Sequence, residues 1–300
     1  MIFCARQFKF IFPRPALVMG IVNVTPDSFS DGGRFLDTEA AIAHGLELVR
    51  QGAEILDIGG ESTRPGAAAV SEKEELRRVI PVIKALAAES RGGRPFGTPI
   101  SVDTFKPAVA RAALEAGASI VNDVAAGQSG PKMWEIVSEF RAGYVVMHGP
   151  PGLHDRLDGS EDMADAVGAF FVERLNAMEA YGVAHEQIIF DPGIGFGKNL
   201  EQNLQIIAHF GRFSTLGRPL LLGVSRKSFI EKLFGSGVNE RLPASLACAI
   251  LGVESGAHII RAHDVTETVQ AVRMAEAVLK RQKRPAPYEM TDGPAGDVPL

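Results

Sequence analysis

The sequence is poor in cysteine. Its two cysteines in 300 residues, Cys4 and Cys248, form no recognisable metal or redox motif. It has no uninterrupted apolar run long enough to cross a bilayer. Arg6 and Lys9 interrupt the apolar N-terminal stretch, and no small-residue cleavage site follows it. The formal net charge of −5 gives no general attraction for nucleic acid or for an acidic membrane surface. We therefore expect a cytoplasmic protein that acts on small molecules and binds any anion through a local cluster.

Eight short, almost continuously apolar runs are present, and such runs are typical of strands buried on both faces of a parallel sheet. In chain order they read ALVMGIV, EILDIGG, TPISVD, SIVNDV, GYVVMHG, IIFDPG, PLLLGVS and HIIRAHD. Helical patterns such as TEAAIAHGLELVRQGA lie between them. Eight strand–helix units in about 250 residues predict an α/β protein with a (β/α)8 TIM barrel. The alternative is an open doubly wound sheet, but no GxGxxG follows the first strand.

The domain organisation follows from the same pattern. We expect a single barrel domain over residues 1–284, with the barrel proper beginning at about residue 15. Residues 285–300 are rich in proline, glycine and acidic side chains, which predicts a mobile tail.

Polar side chains follow every one of the eight runs. They are Asn23; Glu61, Ser62, Thr63 and Arg64; Asp103; Asn122 and Asp123; Met147 and His148, of which Met147 is the apolar exception; Asp191; Ser225, Arg226 and Lys227; and Arg261 and His263. Any one of them alone could be a turn residue or a helix cap. Because the active sites of such barrels lie at the carboxyl ends of the strands, the whole set predicts a catalytic mouth there.

Several longer segments carry a family resemblance. They are MGIVNVTPDSFSDGG, DIGGESTRPGA, SVDTFKPAVA, VNDV, VVMHG, DPGIGFGK, GVSRKSFI and RAHDV, and they extend from residue 17 to about residue 270. In this order, on successive strands, they resemble dihydropteroate synthase of folate biosynthesis. That resemblance implies a transferase. The amine of p-aminobenzoate displaces diphosphate from (7,8-dihydropterin-6-yl)methyl diphosphate, with Mg²⁺, and 7,8-dihydropteroate is formed.

The resemblance also implies roles for individual residues. The pterin and its diphosphate would be bound by Thr63, Asp103, Asn122, Asp191, Lys227, Arg261 and His263. Carboxylates and carboxamides suit the planar donor and acceptor edge of a pterin. A guanidinium and an imidazole on alternate positions of the last strand suit the diphosphate. Asn23 would offer its amide oxygen to Mg²⁺, which keeps most of its shell as water and diphosphate oxygens.

The remaining implied roles concern p-aminobenzoate and the reaction. Phe29, Arg64, Pro65, Phe196 and Ser228 would form the p-aminobenzoate site, with Met147 also near it. For Met147 and Phe196, core packing is the alternative. The residues implied in catalysis are Asp31, Arg64, Asp103, Lys227, Arg261 and His263. The long polar first loop would close over the reacting pair and shield it from water.

Two other functions stay open at this point. A pterin-binding methyltransferase would share the barrel, but it would need neither the TPDSFSDGG segment nor the cluster of Lys227, Arg261 and His263. A non-catalytic pterin-binding paralogue should have lost some of these residues.

The resemblance further implies a homodimer and competition by sulfonamides. The segment MHGPPGLHDRLDG departs from the family pattern, so no role is carried beyond Met147 and His148 there. Arg226 could be a surface residue or an ion-pair partner.

Overall fold

The computed structural model describes residues 1–25, 34–62, 69–89, 97–125, 130–149 and 162–281. Ten strands and nine helices lie in these ranges. The strands are β1 Ile2–Ala5, β2 Phe8–Ile11, β3 Leu17–Asn23, β4 Ile55–Gly59, β5 Ile100–Asp103, β6 Ile120–Asp123, β7 Gly143–Met147, β8 Ile188–Asp191, β9 Leu221–Gly223 and β10 Ile259–Ala262. The helices are α1 Arg34–Arg50, α2 Glu72–Glu89, α3 Pro107–Ala116, α4 Pro131–Phe140, α5 Met163–Glu179, α6 Leu200–Ala208, α7 Ser228–Phe234, α8 Leu242–Glu254 and α9 Val265–Leu279.

Strands β3 to β10 form one parallel sheet in the order β8-β7-β6-β5-β4-β3-β10-β9. The two edges meet, because Phe190 of β8 forms a parallel bridge with Leu220, directly before β9. The Phe190 amide donates to the Pro219 carbonyl at 3.0 Å at the same seam. The sheet is therefore closed, and the predicted (β/α)8 barrel is confirmed.

The strands have two buried faces, which explains their continuous apolar character. One set of alternate residues, including Val18, Leu56 and Val121, packs in the layer between strands and helices. The other set fills the barrel interior, where the apolar floor is made of Leu17, Met19, Ile55, Ile120, Val145, Ile189, Leu221 and Ile259. This alternation is what a pleated strand imposes on its side chains.

The N-terminal segment forms an antiparallel hairpin of β1 and β2 that the sequence analysis did not predict. Its buried face, with Phe3 and Phe10, joins the interior floor cluster and closes the amino-terminal end of the barrel. Gly143 at the start of β7 permits this contact, because a Cβ there would lie 2.5 Å from the Phe3 ring. Among the described residues, no helix has both the length and the apolar character needed to span a membrane.

Candidate active site

The barrel interior becomes polar one layer above its apolar floor. Asp57, Asn122, Asp191 and Arg261 each come two residues after a floor residue of the same strand, so each side chain points inward. Asp103 lies beside Gly59 of β4 and Asn122 of β6 in the sheet register, so its side chain points inward with that of Asn122. The alternation that places apolar side chains in the barrel interior therefore also points charged and amide side chains inward at the carboxyl end of the barrel.

Arg261 is the centre of this layer and bridges two carboxylates. Its Nε donates to Asp57 Oδ2 at 2.6 Å and its Nη2 donates to Asp103 Oδ2 at 2.8 Å. Asp57 is completely buried, and its Oδ2 also accepts a hydrogen bond from Asn122 Nδ2 at 3.0 Å. Burial opposes the charge of Arg261, but the two carboxylates outweigh it and raise its pKa. Burial raises the pKa of Asp103, and Arg261 counters this.

Lys227 and Asp191 form the other side of the layer. Burial, together with the charge of Arg261, lowers the pKa of Lys227 to about 8. Its Nζ lies 4.1 Å from the centroid of the Phe196 ring, a cation–π contact. Burial raises the pKa of Asp191, whose Oδ1 accepts from the Gly193 amide at 2.8 Å. Lys227 thus faces an aromatic ring and a buried acid, and its side chain is half-buried.

His263 lies at the rim and is neutral at physiological pH. Its Nδ1 is 3.1 Å from Ser225 Oγ. Burial and the charges of Arg261 and Arg226 lower the pKa of His263 to about 3. Arg226 is an ion-pair partner, since its Nε donates to Asp264 at 3.0 Å. His263 therefore offers the mouth an uncharged imidazole.

Comparisons with known proteins identify the family of the chain. A family model described as pterin binding enzyme matches residues 19–263. The dihydropteroate synthase of Escherichia coli K12 is 46% identical over 271 residues, which are 89% of this chain and 94% of that protein. The chain belongs to the dihydropteroate synthase family.

Solved structures support the same assignment. The Xanthomonas albilineans dihydropteroate synthase with 4-aminobenzoic acid matches with a TM-score of 0.84 and 46% identity, over 93% of this chain and 98% of that one. The same synthase in complex with 7,8-dihydropteroate gives a TM-score of 0.82 and 43% identity, over 93% and 99%. A Yersinia pestis synthase in a sulfonamide drug complex matches with a TM-score of 0.83 and 40% identity, over 94% of this chain and 100% of that one. The enzyme is accordingly a transferase of folate biosynthesis.

The candidate site contains two residues that the sequence analysis missed. Asp57 lies in the middle of an apolar run, which predicts a buried strand and no site residue. Lys198 follows β8, and its Nζ donates to the carbonyls of His148, Gly193 and Phe196 at 3.0, 2.9 and 3.2 Å. A carboxylate on the inward face of a fully buried strand was the available signal for Asp57. No comparable signal was present for Lys198.

Not every strand-end residue faces the synthase site. Asp123 points to the outer layer, where its Oδ2 accepts from the Tyr144 hydroxyl at 2.6 Å, because it stands one position after the inward Asn122. Glu61 pairs with Lys106, which also pairs with the buried Glu75. His148 is buried and packs edge-on against Phe170. Its prediction as a polar residue of the mouth is therefore wrong for the side chain.

The other predicted residues divide into two groups. Asn23 ends β3, beside Gly59 in the register, and is partly buried. Met147 is buried, and Ser228 is exposed as the first residue of α7. Phe29, Asp31, Thr63, Arg64 and Pro65 lie outside the described residues, as do residues 282–300 with the predicted tail.

Three buried polar atoms of the inward layer have no hydrogen-bond partner among the described residues. They are Asp57 Oδ1, Asn122 Oδ1 and Ser101 Oγ. Buried polar groups are normally paired, and an orphan costs about 1–3 kcal/mol. All three are acceptors, or can act as one, and they belong to adjacent strands. The arrangement suits a ligand with several N–H donors.

Proposed function

We propose that the inward polar layer holds the dihydropterin ring and its diphosphate during the family's reaction. The observation that carries the proposal is the convergence of Asp103, Asn122, Asp191 and Lys227 from four strand ends around Arg261. A pterin presents N–H donors and ring acceptors in one plane. Carboxylates and an amide oxygen accept from the former, and a lysine ammonium donates to the latter. Failure to make any one of these bonds would leave a buried group unpaired.

The diphosphate is assigned to the rim, next to Arg261 and His263. Arg261 has an exposed side-chain fraction of 18%, which leaves part of its guanidinium open toward the mouth. His263 stands two residues later on the same inward side, and its neutral ring can donate one hydrogen bond. Thr63, which lies outside the described residues, remains a predicted contact of the pterin or the diphosphate.

Magnesium fits this site as a partner of the diphosphate. No cluster of three acidic, histidine or cysteine side chains occurs within the described ranges, so they offer no separate cage for a resident ion. Asn23 at the end of β3 supplies one amide oxygen, and Mg²⁺ commonly combines few protein ligands with phosphate oxygens and water. When bound, the ion would neutralise charge on the leaving group.

The p-aminobenzoate site is proposed beside the Lys227–Phe196 pair. Phe196 would pack on the benzoate ring, and Ser228 at the first turn of α7 would lie near its carboxylate. Phe29, Arg64 and Pro65, and the catalytic residues Asp31 and Arg64, belong to the two segments outside the described residues and stay predictions.

The residues suit a reaction led by departure of the diphosphate. The carbon–oxygen bond to diphosphate breaks as the aniline nitrogen forms the new bond to the methylene carbon, and that nitrogen then loses one proton to water. An aniline is already neutral at pH 7, so no strong general base is needed. Arg261, His263 and Lys227 stabilise the charge that develops on the diphosphate. Asp103 and Asp191 keep the pterin in place.

The assembly and the compartment are also proposals. The exposed sides of α7, α8 and α9 carry Phe234, Leu251, Met274 and Val278, which are 66, 51, 68 and 54% exposed. Neighbouring large apolar side chains of this kind favour a homodimer through these helices. The low cysteine content supports a cytoplasmic enzyme, and the barrel domain is proposed to extend to residue 284.

Diphosphate release tests the proposed function. The purified protein is given dihydropterin-methyl diphosphate and Mg²⁺, with and without p-aminobenzoate, and the products are separated by chromatography. We expect release that requires the amine and yields dihydropteroate, and that stops when the Mg²⁺ is chelated. Tight pterin binding without turnover would contradict the catalytic assignment.

A further inference from the structure

Lys198 is a buried cation that the proposed reaction does not use. It ends the segment 192–198 that follows β8, and only 6% of its surface is exposed. Its ammonium group donates to three main-chain carbonyls, those of His148, Gly193 and Phe196, at 2.9–3.2 Å. Three donors meet three acceptors, so the protonated side chain satisfies its full hydrogen-bonding capacity.

These three bonds join two elements of the barrel rim. His148 continues β7, whereas Gly193 and Phe196 belong to the segment after β8. The approach is so close that a Cβ on Gly193 would lie 1.7 Å from the His148 carbonyl oxygen, and a Cβ on Gly149 would lie 2.7 Å from Phe196 Cβ. Lys198 therefore ties the main chain around Phe196 to the main chain that follows β7.

The held ring faces the active site. Its centroid is 4.1 Å from Lys227 Nζ. We infer that Lys198 is a positioning residue, which holds Phe196 against Lys227 and so sets the aromatic wall of the p-aminobenzoate subsite. This inference rests on the proposed function, because it takes Phe196 as part of that subsite.

Two opposing effects act on the charge of Lys198. Burial lowers the pKa of Lys198 to about 7, and the Asp191 carboxylate opposes that shift. A deprotonated amine has two N–H donors and could not serve three carbonyls. A neutral side chain of similar length, such as methionine, would fill the space and leave the carbonyls unpaired.

A double-mutant cycle tests the inference. The variants are Lys198→Met, Phe196→Ala and the double variant, with Lys84→Met, an exposed lysine on α2, as the matched control. Steady-state rates give kcat and KM for each substrate, and circular dichroism checks the fold. We expect Lys198→Met to raise the KM for p-aminobenzoate about tenfold, because misplacing a binding group by ~1 Å costs up to about 100-fold. The KM for the pterin substrate should stay within about twofold, as should both values in the control.

The cycle separates positioning from general stability. If Lys198 acts through Phe196, the double variant has the same KM for p-aminobenzoate as Phe196→Ala alone, within about twofold. The inference would be overturned if the effects of Lys198→Met and Phe196→Ala on the KM for p-aminobenzoate multiplied in the double variant. It would also be overturned if Lys198→Met raised the KM values for p-aminobenzoate and for the pterin substrate equally. A wild-type enzyme without turnover would instead refute the proposed function, so the two failures are distinguishable.

A second variant covers the case in which Lys198→Met does not fold. Asn203 holds the same segment independently, accepting from the Gly195 amide at 2.6 Å and donating to the Lys198 carbonyl at 3.2 Å. Asn203→Leu should raise the KM for p-aminobenzoate and leave that for the pterin substrate unchanged. A folded Asn203→Leu enzyme with a normal KM for p-aminobenzoate would overturn the inference.

Discussion

Replacement of Asp57 by asparagine removes one charge from a buried ion pair of the barrel interior. The substitution keeps the shape of the side chain, but Arg261 loses the carboxylate that its Nε contacts at 2.6 Å. Removing one partner of a buried pair costs about 3–5 kcal/mol. Because Asp103 still accepts from Arg261 at 2.8 Å, we expect the lower end, a loss of about 3 kcal/mol in the free energy of unfolding.

The assay is urea unfolding of the wild type, Asp57→Asn and the surface control Glu39→Gln at pH 7, followed by circular dichroism. The control, on the exposed side of α1, should change the free energy of unfolding by less than about 0.5 kcal/mol. Asp57→Asn should also weaken binding of a pterin to the free enzyme, because a neutral amide oxygen holds Arg261 Nε and Asn122 Nδ2 less firmly than the carboxylate does. A stability equal to that of the wild type would refute the view that Arg261 depends on Asp57.

Three further predictions concern single residues in or next to the inward layer. Lys227→Met should lower kcat/KM at least about 100-fold with the fold intact, whereas the exposed Lys232→Met should not. The pKa of His263 is about 3 in the fold against 6.5 ordinarily, so the unfolded chain binds the extra proton between these values and stability falls as pH falls. Between pH 6.5 and 5 the wild type should lose about 2 kcal/mol more than His263→Gln in denaturant titrations. Gly193→Ala should destabilise by at least about 2 kcal/mol, because its Cβ would meet a carbonyl oxygen at the end of β7. Gly217 has a similar positive φ, but a Cβ there would meet no neighbouring atom. Thermal unfolding of the control Gly217→Ala therefore measures the cost of backbone strain without the clash.

The barrel was predictable because its strands are buried on both faces. Such strands read as continuous apolar runs, and the polar residues after them mark the carboxyl ends that share one mouth. That pattern places Asp103, Asn122, Asp191, Lys227 and Arg261 at one mouth, as the structure does, while their binding roles stay predictions. The N-terminal hairpin was not, since its phenylalanines alternate over only four residues a strand and could not be told from an irregular segment.

Orientation is the part that the sequence specified least. Asn122 and Asp123 are adjacent and chemically alike, yet the strand period sends one to the site and the other to Tyr144. Asp57 sits in a run whose other members are apolar, and only its inward register with Ser101 reveals its role. Lys198 lies in a glycine-rich segment. The role inferred for it depends on hydrogen bonds to three carbonyls from two elements, and no local sequence pattern shows that these elements meet.

If the proposed function is right, the charges of the inward layer have to suit both a neutral ring and an anion. Within the described part of the chain, the carboxylates Asp57, Asp103 and Asp191 lie near the cations Lys227 and Arg261, and the charge of Asp191 also acts on Lys198. A balanced layer of this kind matches a neutral pterin, because the ring can exchange hydrogen bonds there without leaving a charge unpaired. The same balance leaves little net attraction for diphosphate, since two carboxylates already offset Arg261 and His263 is uncharged. An anion with part of its charge cancelled by Mg²⁺ suits such a rim better than a bare one, and the released diphosphate leaves more easily for the same reason.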